Sequence, residues 1–151
     1  MKQLLAGLAL AVMAQGAQAS EDDIMRVAAK SDVASTMDAL QAAVEGAGAT
    51  VFARVDHAEG AQSAGMELAP AQLLIFGNPK LGTPAMQGNP LAGLYLPLKV
   101  LVYEAADGRV WLAYEDPEET LDDLRGVDDD AAYVAKMRMA LIKLTEKAAG
   151  K

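Results

Sequence analysis

Two apolar runs separated by a tight turn restrict this fold more than any other feature of the sequence. Leu96 to Glu104 (LPLKVLVYE) alternates Leu96, Leu98, Val100 and Val102, and Arg109 to Glu115 (RVWLAYE) follows after Asp107-Gly108. A period of two is the repeat of a β-strand. Asp-Gly predicts a hairpin because both residues tolerate positive φ. So short a connection joins only antiparallel neighbours, so the chain contains an antiparallel ladder.

The flanking segments add helices and further strands. Ile24 to Ala29 reads as a strand. Val33, Met37, Leu40 and Val44 then recur at helical spacing until Gly46 and Gly48 end the run. Thr50 to Asp56 alternates, with Phe52 and Arg54 expected on one face and Val51, Ala53 and Val55 on the other. Asp56 and Glu59 have the spacing of a capping box, which predicts a short helix towards Met66. Gln72 to Phe76 is apolar on both faces and reads as a central strand. Asp116-Pro117-Glu118-Glu119 starts a helix with a cap, a proline and acids in the first turn. Asp128-Asp129-Asp130 is expected to open the last helix, whose seam is Val134, Met137, Leu141, Leu144 and Ala148. Lys143 and Lys147 suit its negative end. These elements predict an α+β two-layer sandwich, a mainly antiparallel sheet with helices on one face. Trp111, Leu101 and Tyr103 then face away from the helices, and a second copy of the chain is the expected cover.

The first nineteen residues read differently from the rest. MKQLLAGLALAVMAQGAQA has a charged start, an apolar stretch from Leu4 to Met13, and Ala17-Gln18-Ala19. That is the order of a secretory signal peptide, and the apolar stretch is shorter than the roughly 20 residues of a spanning helix. Residues 1–19 are expected to be removed. Residues 20–151 would remain as a single α+β domain with a C-terminal helix pair, periplasmic or secreted and free of the membrane. The chain has no cysteine, which excludes thiol catalysis and thiolate metal sites. Its formal net charge of −8 repels phosphate backbones, so nucleic acid is not an expected partner.

Chemistry-bearing residues are few. Gly77-Asn78-Pro79-Lys80-Leu81-Gly82-Thr83 has the glycine spacing of a phosphate loop. It lacks the lysine before Thr83, and its prolines cannot donate N–H groups to phosphate. Read as shape, Asn78-Pro79 and Thr83-Pro84 are two cap-plus-proline pairs, each able to start a short helix. A small anion could sit at those starts beside Lys80; the alternative is a rigid crossover with Lys80 solvated. His57 is the single histidine, a possible general base or a packing residue at a helix start. Lys99 lies inside a strand and would share a face with Arg54 and Tyr103 if the strands are close; the alternative is charge protection of a strand edge. Neither a metal site nor a cofactor is expected.

Taken as a set, Phe52, Asp56-His57-Ala58, Gly77-Asn78-Pro79-Lys80, Gly82-Thr83-Pro84, Met86, Asn89-Pro90, Leu96-Pro97-Leu98-Lys99, Trp111 and Tyr114 resemble the family known as domain of unknown function 302. The resemblance covers roughly residues 24 to 117. It implies a two-layer sandwich with an antiparallel sheet, found as a dimer, and it carries over no activity and no catalytic residue. Three functions are compatible with the sequence. The first is a non-catalytic module binding a small anionic ligand with His57, Asn78, Lys80, Thr83 and Lys99. The second is a hydrolase or proton-transfer enzyme pairing His57 with Lys80 or Lys99. The third is a structural or interaction domain of the cell envelope.

Overall fold

The structure, a computed structural model, describes residues 23–128 and 130–151; the expected signal peptide lies outside the described residues. The elements run β1 (Ile24–Ala28), α1 (Val33–Gly46), β2 (Thr50–Asp56), α2 (His57–Ser63), β3 (Ala71–Gly77) and α3 (Pro79–Gly88). A 3-10 turn (Pro90–Leu94), β4 (Leu98–Glu104), β5 (Val110–Glu115), α4 (Pro117–Asp122) and α5 (Ala132–Ala148) follow among the described residues. One sheet of order β1-β5-β4-β3-β2 is antiparallel throughout. The predicted hairpin is its β4–β5 pair. Only Gly108 in the turn has positive φ (77°). The Gly108 N–H donates to the Ala105 carbonyl at 2.8 Å, and the Asp107 carboxylate accepts from the Arg109 N–H at 3.1 Å.

The register sorts the side chains into two faces. Leu74 pairs with Val100, and Val102 with Leu112, which in turn pairs with Val27. This face is buried under α1 and α5, whose inward residues Met37, Leu40, Val44, Leu141 and Leu144 close the main core. The opposite face aligns Val55, Leu73, Leu101, Ala113 and Arg26, with Tyr103 paired to Trp111 one row away. The sandwich therefore has its helices on one side of the sheet, as the alternation predicts.

A bulge in β2 overturns one expectation. The ladder steps between Val51 and Ala53, leaving Phe52 outside it, so two residues occupy one partner position and the faces exchange. Val51 joins the core, and Arg54 points to the helix side, where it meets Asp38 of α1 at 2.6 Å. Arg54 and Lys99 are thus on opposite faces and do not form a cation pair. Three capping expectations hold: Asp56, Asn78 and Asp116 each accept a first-turn N–H. The last helix starts later than expected, with Ala131 as its cap residue and no side-chain cap; the Asp128 backbone carbonyl accepts the Ala131 N–H. Buried Asp116 is held by Arg138 at 2.9 Å, which ties the end of β5 to α5.

Candidate functional site

A second buried cluster closes one end of the sandwich. Ala85 of α3, Ala92 of the 3-10 turn, Leu121, Leu124 and Val127, and Val134 and Met137 of α5 pack together there. Two glycines make that packing possible. A Cβ on Gly88 would stand 2.2 Å from the Gly126 carbonyl oxygen, and Gly126 itself has φ +89°. The backbone at the end of α3 therefore touches that of the loop before α5 directly. Asn89 fastens the same crossing by donating its side-chain N–H to the Arg125 carbonyl at 3.2 Å.

Between this cluster and the ends of β2, β3 and β4 lies a cavity of about 230 Å³. Its floor is Met137, 1% exposed, and its walls include Leu81, Leu96 and Leu98, while Phe52 and Met86 stand at the rim, 57% and 39% exposed. The residues left without a side chain keep the space open. A Cβ on Gly82 would lie 3.7 Å from Leu96 Cδ1, and one on Gly93 would lie 3.6 Å from the Met86 sulfur. The Phe52 bulge places its ring here, outside the ladder.

The polar groups of this region are largely committed to the fold. The Asn78 side chain accepts the Lys80 N–H at 3.0 Å, and its carbonyl accepts from Leu81 at 2.9 Å and Gly82 at 3.0 Å. Pro79 has no N–H, so the first turn of α3 has no donor left for an anion. The expected second helix start at Thr83-Pro84 does not form. Pro84 lies inside α3, where the turns on either side hold the helix through the one missing bond. The second cap-plus-proline start is Asn89-Pro90, with Asn89 Oδ1 accepting the Leu91 N–H at 3.0 Å.

Of the five residues read as candidates, Asn78 and Thr83 line the cavity. Lys80 is exposed on α3 between the lining residues Pro79 and Leu81. His57 is exposed at the start of α2. Asp56 pairs with Gln72 and Thr50 with Gly77, so His57 and Lys80 stand beyond opposite ends of β3, about 17 Å of strand apart. Lys99 lies on the face away from the main core, 3.9 Å from Glu115. The five do not converge on one pocket, because β3 separates them lengthwise and the sheet separates them by face. Sequence reasoning missed Phe52, Leu96, Leu98 and Met137 as cavity residues. Met137 reads as helix seam, and only the bulge turns Phe52 outward.

Perturbed titrations lie away from the cavity. The Asp56 carboxyl is held below the usual carboxylate range, first by the Glu59 N–H and further by the Gln72 side chain. Burial pushes the Tyr114 hydroxyl up, partly offset by a hydrogen bond with Thr145. Among the described residues, no three histidine, aspartate or glutamate side chains converge to hold a metal. No helix among them is long and apolar enough to cross a membrane.

Comparison with known proteins adds three findings. The family model described as domain of unknown function DUF302 matches residues 25–146. The fluoride-specific ion channel FluC 1 of Brucella suis biovar 1 (strain 1330) is 41% identical over 97 residues, which is 64% of this chain and 38% of that protein. FluC 1 of Brucella abortus biovar 1 (strain 9-941) matches at the same identity over 36% of its length, so the match spans little more than a third of these curated relatives. The crystal structure of an uncharacterized conserved DUF302 protein from Bacillus stearothermophilus superposes with a TM-score of 0.73 at 20% identity, covering 83% of this chain and 98% of that one. It has the same fold.

Proposed function

The chain belongs to the DUF302 family, a domain of unknown function, and from that premise we propose that it is an exported, non-catalytic module that holds a small, mainly apolar molecule. The observation that carries this reading is the cavity of about 230 Å³ with its buried Met137 floor and exposed Phe52–Met86 rim. An engineered apolar cavity of about 150 Å³ holds benzene, so this one has room for about nine carbon-sized atoms. Met side chains adapt to irregular ligands, and two of them line the space. The enzymatic alternative has less support, since His57 is a strand's length from Lys80 and Lys99 already faces Glu115.

Thermal melting of residues 20–151 against small apolar and amphiphilic compounds tests the reading. A ligand at one hundred times its Kd adds about 2.7 kcal/mol, which raises the midpoint of a domain this size by roughly 5–15 °C. The Gly82→Leu variant, which fills the space beside Leu96 and Met86, should lose that rise. No rise with any compound, or the same rise in Gly82→Leu, refutes the cavity as the site. The channel named in the two Brucella relatives does not by itself make fluoride the ligand here. A small hydrated anion has no apolar body to bury in this cavity and is costly to desolvate, and the backbone N–H donors of the first turn of α3 are used. Fluoride should leave the midpoint unchanged.

The bare sheet face favours a second reading, an interaction module whose partner is another copy of this chain. Leu73, Leu101, Tyr103 and Trp111 are half-buried there, with Arg109 5.2 Å from the Trp111 ring centre. Sedimentation should then report a dimer that Leu101→Glu converts to monomer; a monomeric wild type removes this reading.

A further inference from the structure

Resting on the cavity reading, we infer that the ligand is an amphiphile: an apolar body seated against Met137 and a single anionic head at the mouth, met by Lys80 and Thr83. Charge distribution along the sequence makes the first argument. The chain is 23% charged with a formal net charge of −8, yet from Leu68 to Leu98, the stretch supplying most of the cavity wall, the only charged residue is Lys80. Lys80 is therefore the one charge that this stretch places beside the apolar opening, and its positive sign favours an anionic over a cationic head there.

Geometry makes the second. Lys80 and Thr83 are three residues apart on α3, which puts their Cβ atoms about 5–6 Å apart on one helix face. Thr83 lines the cavity, so the flexible lysine stem springs from beside the mouth. Among the described residues neither side chain has a hydrogen bond or ion pair. The Thr83 hydroxyl is a free donor, and the Lys80 ammonium is a mobile point charge that suits a carboxylate or similar head. The backbone cannot do this work, because Asn78 already occupies the first-turn N–H groups. The head is therefore recognised by side chains and the body by shape.

Octanoate, 1-octanol and acetate separate these contributions in calorimetric titrations of residues 20–151. The first two share a body matched to the cavity and differ in the charge of the head; acetate offers the head alone. Octanoate should bind about tenfold tighter than 1-octanol, since a charge-assisted hydrogen bond adds that order of selectivity, and acetate should not bind detectably. In Lys80→Ala the octanoate-to-octanol ratio should fall to about one, and Lys80→Arg should restore it. Equal affinities in the wild type, or a ratio unmoved by Lys80→Ala, overturn the anionic head while the cavity reading stands. Acetate binding as tightly as octanoate overturns the body. Failure of both eight-carbon probes overturns this inference and the cavity reading together.

Discussion

The two buried clusters of this protein are built in different ways. In the main core, α1 and α5 lay helical stripes of apolar side chains on one face of the sheet, and the contacts are side chain to side chain. In the end cluster, short helices and turns meet with backbone on backbone at Gly88 and Gly126, and the packing leaves a cavity. The difference teaches where this molecule has room for function. Regular periodic packing fills space to crystal-like density, whereas caps, prolines and a bulge set chain directions and leave gaps between them.

Substitutions break or sharpen that contrast, and the largest effect belongs to the main core. Leu112 is fully buried on the core face of β5, between β1 and β4, and Leu112→Ala should cost about 3 kcal/mol, read as a lower midpoint in chemical denaturation. Gly88→Ala comes next. Its new methyl group would meet the Gly126 carbonyl rather than a movable side chain, so it should cost about 1–3 kcal/mol. An unchanged midpoint would mean that the end cluster adjusts freely.

Gly82→Ala should act in the opposite direction. Its Cβ would make ordinary contacts with Leu96 and Met86, and alanine is the better helix former by about 0.5–1 kcal/mol. The variant should therefore melt higher and bind the cavity ligand more weakly. Higher stability with unchanged binding would show that the glycine is not kept for the cavity's sake.

The smallest effect is on acid stability. The Asp56 carboxyl titrates below its unfolded value near 3.9. The stability it adds is therefore present above about pH 4 and lost as pH falls through the folded pKa. Asp56→Asn keeps a capping oxygen and removes the titration. The variant's midpoint should fall less steeply below pH 4 than that of the wild type, and parallel curves would exclude Asp56 as a contributor.

Much of this fold is legible in the sequence. The alternation in β4 and β5, the Asp-Gly turn, and the seam residues Val134, Met137, Leu141, Leu144 and Ala148 each follow from local chemistry, and all stand in the structure where the pattern puts them. The misreadings share a cause. The faces of β2 were inverted because a bulge has no signature in an alternating run. Thr83-Pro84 looked like a helix start because cap chemistry is the same whether or not a helix is already under way. The candidate site was legible only in part: Asn78 and Thr83 border the cavity, but which residues face it across the chain depends on how α5 and the Leu96–Leu98 segment pack.

By itself, then, the sequence determined most of the elements, the caps at Asp56, Asn78 and Asp116, and the antiparallel sheet with helices on one side, because period, turn chemistry and capping act between residues close along the chain. The tertiary structure alone decided that Phe52 leaves the ladder, that Gly88 meets Gly126 and that a cavity opens over Met137. Those outcomes depend on segments distant in sequence competing for the same space, and no local pattern records which of them gives way.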